Sequence, residues 1–319
     1  MKLKSYKAPI FLPGSHLQTI YPSLFRKIDC SFYQRERIET TDNDFLDLDW
    51  SRVNSKKLII ISHGLEGSSQ RSYVSGLARF MNQNGWDALA WNFRSCSGEI
   101  NRQLCFYHSG KTDDLATVIE YAQKSGLYDQ IALAGFSMGG NLSLVYLGEQ
   151  GSKAVGKISA AVVFSVPCDL KSSAEKLATP FNMIYMKRFL HYLHKKVKMK
   201  MELFPGLIDD SDYDKIKNFK DFDDRYTAPI HGFLNAEDYW QKCSSRFFIP
   251  DIKIPVLIVN AGNDPFLTEQ CFPIREVSSN TNAHLEIPDQ GGHVGFTQFN
   301  KENVYWSERR AALFLETLL

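Results

Sequence analysis

The chain has 319 residues, of which 44% are hydrophobic and 23% are charged, a composition typical of a globular protein with a sizeable core. Its 37 basic and 36 acidic residues nearly balance, so the sequence gives no reason to expect a nucleic-acid partner. The six cysteines include no C-x-x-C pair, so neither a zinc knuckle nor a dithiol redox motif is indicated, and we expect reduced thiols in a cytoplasmic protein.

The N-terminal lysines Lys2, Lys4 and Lys7 are not followed by an apolar segment, and no window reaches 18 apolar residues, so neither a signal peptide nor a membrane-spanning helix is predicted. Residues 1–30 mix prolines and aromatic side chains without a sustained period and are predicted to form an arm across a folded body. Residues 31–40 and 45–50 are predicted to pair as an antiparallel hairpin at a sheet edge.

From Lys57 onward, apolar strand-like runs alternate with helical patterns, which indicates a mainly parallel sheet with helices on both faces. The further predicted strands are 58–61, 88–91, 131–134, 158–166, 255–260 and 283–287. The predicted helices are 73–81, 112–123, 141–147 and 307–319. This is the element pattern of an α/β fold.

The alternation is interrupted by about eighty residues without a buried strand, which is too long for an ordinary connection and predicts an inserted, mainly helical cap. We therefore divide the chain into an arm with the first part of the core (1–168), the cap (169–250) and the last part of the core (251–319). Within the cap, the stretch 183–201 mixes apolar side chains with lysines. A solvated helix packed by its apolar side is favoured there, and a membrane-surface helix is the alternative.

Residues 135–139 read Gly-Phe-Ser-Met-Gly and match G-x-S-x-G between a predicted strand and a predicted helix. A strand that turns this sharply strains its central residue, and only residues without a Cβ atom fit at Gly135 and Gly139. The turn would present the Ser137 hydroxyl beside a helix N-terminus, where a developing negative charge is favoured. Because so short a pattern is weak alone, its interpretation depends on partner residues.

A serine nucleophile needs a base, and that base needs a carboxylate to orient it. Asp264 follows the predicted strand 255–260 and His293 follows the strand 283–287, so both should lie at the sheet edge that carries Ser137. In proteins whose nucleophile lies on such a turn, the three residues follow along the chain in the order Ser, Asp, His, which is the order found here. Asp289 is the rival carboxylate, but it is disfavoured because it lies on the same loop as His293, four residues before it.

The oxyanion hole is predicted to use the backbone N–H groups of Met138 and of Leu65, which lies in the loop after strand 58–61. We interpret His63 as a brace for that loop. The site lacks the spacings H-E-x-x-H, G-x-G-x-x-G and G-K-[ST], so neither a metal nor a cofactor is expected.

With these residues identified, the chain resembles the branch of the α/β-hydrolases that includes YheT, the ABHD1, ABHD2 and ABHD3 proteins and the yeast medium-chain ethyl ester synthase/esterases. The motifs that carry the resemblance span nearly the whole chain: 16–19, 63–69, 92–94 with 98–99, 107–110, 113–115, 135–140, 222–223, 226–227 and 291–295.

The resemblance implies an α/β-hydrolase fold and a serine esterase or lipase whose triad is Ser137, Asp264 and His293. It also implies a small-molecule substrate, a short- to medium-chain acyl ester or a glycerolipid. Ser95 departs from the family pattern, which usually has glycine there, and its loop is a candidate border of the pocket. The departure bears on substrate preference and not on the triad.

Amide, thioester and peroxide chemistry stay open at this point, because the same nucleophile and oxyanion hole serve each. Three alternative roles stay open as well. The same acyl-enzyme can pass its acyl group to an alcohol, which would make the protein an acyltransferase. A non-catalytic ligand-binding protein can keep this fold, although an intact triad argues against that role. Finally, the basic cap stretch can contact membranes, with four lysines as the contact residues: Lys195, Lys196, Lys198 and Lys200.

Overall fold

One sheet of eight strands forms the centre of the computed structural model, which describes residues 5–318. The strands are β1 (Gln34–Glu39), β2 (Phe45–Ser51), β3 (Lys57–Ser62), β4 (Asp87–Trp91), β5 (Gln130–Phe136), β6 (Ala160–Phe164), β7 (Val256–Val259) and β8 (Ala283–Glu286). Their order across the sheet is β1-β2-β4-β3-β5-β6-β7-β8, and only the pairs β1–β2 and β2–β4 are antiparallel. The predicted mainly parallel sheet with a hairpin at one edge is confirmed.

Helices cover both faces of the sheet. They are α1 (Ser15–Phe25), α2 (Ser72–Gln83), α3 (Thr112–Lys124), α4 (Met138–Gln150), α5 (Leu170–Leu177), α6 (Met183–Leu203), α7 (Phe219–Phe222), α8 (Ala228–His231), α9 (Ala236–Cys243), α10 (Ile274–Ser278) and α11 (Trp306–Leu318). Leu58 and Ile60 of β3 pack in the cluster that includes residues of α3 and α4, whereas Ile59 and Ile61 pack with residues of α2 and α11. A strand buried on both faces in this way reads as a continuous apolar run.

The arm differs from its prediction because it contains α1. Pro22 lies inside this helix, and its missing N–H and fixed ring make the segment read as a turn. The helix has no charged residue, and it buries Gln18 and Thr19 while Leu17 and Leu24 stay exposed. Helix α1 therefore buries polar side chains and exposes apolar ones, which is the reverse of what an amphipathic pattern predicts.

The segment between β6 and β7, every residue of which is described, contains α5 to α9 and no strand. A π-helical turn, Asp223–Thr227, joins α7 to α8. Helix α6 buries Met186, Leu190 and Val197, as expected for the apolar side of a packed helix.

Two lysines of α6 contradict the solvated, membrane-facing role considered for them. Lys196 is buried and its Nζ donates to Oε1 of Glu66 at 2.8 Å. Lys200 is fully buried and its Nζ donates to the carbonyl oxygen of Asn101 at 2.7 Å. Both ammonium groups therefore point into the protein, whereas Lys195 and Lys198 are exposed.

Across residues 5–318, none of the helices combines the length and the apolar character that crossing a bilayer requires. The cysteines in this part of the chain are all free thiols. Lys2, Lys4 and Leu319, the predicted last residue of α11, lie outside the described residues.

Candidate active site

Ser137 lies at the sharp turn between β5 and α4. Its backbone has φ +52° and ψ −121°, a strained conformation, and its N–H donates to the carbonyl oxygen of Phe164 at 2.9 Å. A Cβ atom on Gly139 would lie 2.3 Å from the carbonyl oxygen of His63, and one on Gly135 would lie 2.5 Å from that of Gly139. Only glycine fits at either position without moving the backbone.

A chain of hydrogen bonds joins three of the predicted side chains. His293 Nε2 lies 2.9 Å from Ser137 Oγ, and His293 Nδ1 lies 2.9 and 3.1 Å from the two carboxylate oxygens of Asp264. The Asp264 side chain is completely buried and also accepts from the N–H of Phe266 at 2.9 Å. Asp289 is exposed and has no hydrogen bond to His293. The structure therefore places Asp264, and not its rival, beside the histidine.

The loop that carries His293 is held by the arm. Thr19 Oγ1 accepts from the N–H of His293 at 2.9 Å. Gln18 Oε1 accepts from the N–H of Gly291 at 2.9 Å and from the side-chain amide of Asn263 at 3.0 Å. Both arm residues belong to the motif 16–19, for which the sequence indicated no role. No local sequence signal indicates this role, because the partners of Gln18 and Thr19 lie 245 or more residues later in the chain.

The predicted oxyanion donors lie next to Ser137. The N–H groups of Leu65 and Met138 donate no hydrogen bond within the part of the chain that the structure describes, and both residues line one cavity with Ser137. Met138 is the first residue of α4, where a helix leaves its N–H groups unpaired. Two free N–H groups beside a nucleophile are what stabilisation of an oxyanion requires.

The loop that holds Leu65 is braced on several sides. Burial lowers the pKa of His63 to about 3, and this neutral ring accepts from the N–H of Phe93 at 3.1 Å. Glu66 has φ +52°, and its N–H donates to the hydroxyl of Tyr107 at 3.0 Å. The Glu66 carboxylate pairs with Lys196 of α6. The interpretation of His63 as a brace agrees with these contacts.

Two cavities meet at Ser137. The apolar cavity, of about 130 Å³, lies mainly among Leu170, Leu177, Phe189, Phe219, Phe222 and Trp240. The arm cavity, of about 510 Å³, lies mainly among Thr19, Leu24, Gly67, Arg71, Arg188 and Tyr192. The residues common to both are Leu65, Ser137, Phe189, Phe266 and His293.

Ser95 itself lines neither cavity, but Phe106, Tyr107, His108 and Ser109 of the same connection between β4 and α3 line the apolar cavity. Its φ of +63° falls in the left-handed region, which glycine adopts without steric cost and which accounts for glycine in the family pattern. The Ser95 hydroxyl donates to Oδ1 of Asn101 at 2.5 Å. This contact stabilises the conformation of the first part of the connection.

One group of side chains brings possible metal ligands together, namely Asp42, Asp44 and Cys105, whose ligand atoms lie within 4.8 Å of one another. The Arg94 guanidinium already pairs with both carboxylates, at 2.6 and 3.0 Å. A positive charge therefore occupies the position that a metal ion would take. We assign this group a structural role in fixing the loop after β4.

The apolar cavity contains one buried acid, Asp223 of the π-helical turn. Its carboxylate accepts from Nε1 of Trp240 at 2.8 Å and from Oγ1 of Thr227 at 2.6 Å, and it forms no ion pair in residues 5–318. Burial raises the pKa of Asp223 to about 7. The rings of His108 and His231 lie 4.5 Å apart in the same cavity wall, and burial lowers the pKa of His231 to about 4.

Comparison with known proteins adds the following similarities. Residues 57–298 match the family model of the alpha/beta hydrolase fold. YheT of Escherichia coli (strain K12) is 33% identical over 313 residues, which are 95% of this chain and 91% of YheT. Phospholipase ABHD3 of Mus musculus is 31% identical over 83% of this chain and 67% of its own length. The crystal structure of the Pyrococcus furiosus esterase Pf2001 has a TM-score of 0.61 at 20% identity, covers 92% of this chain and 98% of its own, and shows a shared fold.

The free energy of unfolding of the Asp223→Asn variant is expected to exceed that of wild type by a larger amount at high pH than at low pH. The folded-state pKa of about 7 lies above the ordinary value of 3.8, so between these values the folded protein retains a proton that the unfolded chain has lost. Wild type therefore loses stability as pH rises through this range, and the amide does not. Urea unfolding should show the advantage of the variant growing by roughly 2 kcal/mol between about pH 5 and pH 8.

The matched control is Asp214→Asn, an exposed acid in the same segment. Its effect on the free energy of unfolding should be nearly the same at both pH values. An Asp223→Asn effect that is independent of pH would contradict the prediction.

Proposed function

The chain belongs to the α/β-hydrolase fold family, and from this membership we propose that the protein is a serine hydrolase of carboxylic esters. The observation that carries the proposal is the continuous hydrogen-bond chain from Asp264 through His293 to Ser137. The phospholipase name of the mouse relative supports the same reaction class. The proposed roles are nucleophile for Ser137, general base and acid for His293, and orienting carboxylate for Asp264.

In this mechanism His293 Nε2 takes the hydroxyl proton while Ser137 Oγ attacks the ester carbonyl carbon. The N–H groups of Leu65 and Met138 stabilise the resulting oxyanion. His293 then gives the proton to the departing alcohol, and an acyl-enzyme remains. A water molecule, activated by the same histidine, attacks the acyl-enzyme and releases the acid. Asp264 stays ionised throughout and keeps the proton of the neutral imidazole on Nδ1.

We also propose that residues 169–250 act as a cap and that the apolar cavity receives the acyl chain. Leu170, Phe189, Phe219 and Trp240 come from this segment and form much of the cavity wall. Burial of each CH₂ group of an acyl chain there contributes about 0.8 kcal/mol. A short- to medium-chain acyl ester is therefore the proposed substrate class.

Wild-type protein is expected to gain the mass of one fluorophosphonate group and to hydrolyse p-nitrophenyl esters, because both reactions need an activated serine. In Ser137→Ala both the mass gain and the turnover should disappear. Intact-mass spectrometry and release of p-nitrophenol measure the two results. Labelling or turnover that persists in the variant would contradict the assignment of Ser137. If added ethanol yields an ethyl ester instead of the free acid, acyl transfer is the reaction.

Asp264→Asn is expected to lower kcat by roughly 10⁴-fold, the loss seen when the orienting carboxylate of a serine protease is changed in this way, because the imidazole then adopts the wrong tautomer. Asp289→Asn is the matched control, since this acid lies on the histidine loop but is exposed. It should change kcat by less than about twofold. Similar losses in the two variants would contradict the assignment of Asp264.

We further propose that the mouth of the arm cavity contacts membranes. Helices α1 and α6 both contribute residues to the lining of this cavity, including the exposed Leu24 of α1. Leu17 of α1 and Ile184 of α6 are also exposed. The two helices are joined by a 3.0 Å hydrogen bond between His16 Nδ1 and the hydroxyl of Tyr185. Exposed apolar side chains on the two helices that line a cavity beside the proposed nucleophile are suited to contact with the lipid phase.

Charge supports an anionic lipid surface as the partner. Lys187 and Lys195 are exposed on α6 and form no ion pair in the described chain. Helix α1 has no acidic residue that would repel such a surface. Each lysine near an anionic bilayer contributes about 1 kcal/mol of attraction.

Ser137→Ala protein is expected to bind vesicles of mixed phosphatidylcholine and phosphatidylglycerol, and the binding should weaken with salt. The double variants Leu17→Ser/Ile184→Ser and Lys187→Gln/Lys195→Gln, made in this background, should each lower the partition coefficient roughly tenfold or more. Vesicle co-sedimentation measures this. Leu127→Ser/Lys153→Gln is the matched control, because these exposed residues precede β5 and β6 at the opposite edge of the sheet. Equal loss in the control, or binding that depends on protein self-association in light scattering, would contradict the proposal.

A further inference from the structure

The arm cavity is rich in positive charge. Its charged lining residues are the cations Arg26, Lys27, Arg71 and Arg188 and a single acid, Glu66. Such an imbalance around a cavity that opens on the nucleophile attracts an anionic part of a substrate.

Two of these charges are already neutralised inside the protein. Arg26 pairs with Glu308 at 2.6 Å, and both side chains are 2% exposed. Glu66 pairs with Lys196 at 2.8 Å, so it neutralises a lysine of α6 and not an arginine of the arm cavity. The remaining charges of the cavity are all positive.

Arg71, Arg188 and Lys27 form no ion pair with a carboxylate in residues 5–318. Arg71 donates to the carbonyl oxygen of Glu66 at 2.9 Å, a contact that leaves its positive charge uncompensated. The Arg188 guanidinium lies 5.8 Å from the ring centre of Tyr192. Because this ring carries no charge, the positive charge of Arg188 is also uncompensated.

The apolar cavity, on the other side of Ser137, has the opposite character. Its one cation is Lys196, which is paired with Glu66, and its one acid is the unpaired Asp223. An anionic group would meet no uncompensated positive charge there, whereas the arm cavity offers it several cations. The two cavities that meet at Ser137 therefore differ in the charge that they present.

We propose that the arm cavity binds the alcohol half of the ester and that this half carries a phosphate group held by Arg71 and Arg188. The inference rests on the proposed ester hydrolysis, and it adds both the orientation of the substrate and the class of its alcohol. The planar guanidinium matches two phosphate oxygens at once, which a lysine does not. Lys27 adds charge at the same cavity without that geometry.

The test compares two soluble esters that share one acyl group, 1-octanoylglycerol 3-phosphate and 1-octanoylglycerol. Wild type is expected to show a kcat/KM at least roughly tenfold higher for the phosphate ester, and the ratio should fall as NaCl is raised from about 0.05 M to about 1 M. Both esters are used as monomers in solution, so contact with a membrane does not contribute.

Arg188→Gln should lower the phosphate-to-neutral ratio roughly tenfold, because it removes a charged hydrogen-bond donor. Arg71→Lys keeps the positive charge but loses the planar guanidinium that donates to two phosphate oxygens at once, so it should lower the phosphate-to-neutral ratio by a smaller factor. Lys198→Gln is the matched control, an exposed cation of α6 that lines neither cavity, and the ratio should stay at the wild-type value. Ser137-dependent hydrolysis with equal use of the two esters would overturn the inference and leave the ester hydrolase intact.

A binding measurement keeps the inference testable without turnover. Ser137→Ala is titrated in a calorimeter with glycerol 3-phosphate and, separately, with glycerol. Binding of glycerol 3-phosphate alone, weakened in Ser137→Ala/Arg188→Gln and retained in Ser137→Ala/Lys198→Gln, is the expected result. Absence of binding, or equal binding by both double variants, would overturn the assignment even if no ester proved to be a substrate.

Discussion

The site depends on the close approach of the N-terminus of α4 to the end of β3. At Gly139 a Cβ atom would lie 2.3 Å from the carbonyl oxygen of His63, so the helix begins in direct backbone contact with the strand end. The same contact places the Gly64 loop against Ser137, where an added Cβ would lie 3.2 Å from that of the serine. The strain at Ser137, on the order of 1–3 kcal/mol, persists because the surrounding sheet determines the backbone path. One packing constraint thus brings the hydroxyl and both predicted oxyanion donors together.

Helix α6 ties the segment between β6 and β7 to this arrangement through two buried lysines. Lys196 pairs with Glu66, the residue after Leu65, and Lys200 donates to the backbone carbonyl of Asn101. Burying an ammonium group costs several kcal/mol, which such contacts offset rather than exceed. The lysines therefore fix where the helix sits more than they add stability. Because Phe189 of α6 lines both cavities, the shape of each cavity and the position of the Leu65 loop share one support.

Sequence reasoning identified the sheet and the geometry around Ser137 because both follow from local rules. Parallel strands end at one edge, so Asp264 and His293, each following a strand, had to approach Ser137. It missed α1 because Pro22 reads locally as a break, and tertiary contacts of Gln18 and Thr19 stabilise the helix. It placed Lys196 in solvent because its partner lies 130 residues earlier in the chain. Lys196 is buried where a distant carboxylate pairs with it, and the sequence around the lysine does not show that partner.

The residues proposed to perform chemistry and the residues proposed to select a substrate come from different parts of the chain. The proposed nucleophile, base and acid all lie on loops at the carboxyl edge of the sheet. The cavity walls come from other parts of the chain. The apolar cavity is lined largely by the segment between β6 and β7, and the positively charged residues of the arm cavity come from the arm, the start of α2 and α6. Substitutions at Phe219 or Arg188 can therefore change what enters without disturbing the hydrogen-bond chain. A fold organised in this way keeps one reaction while its relatives diverge in substrate, because the constraint at Gly139 acts on the loops and leaves the walls free to vary.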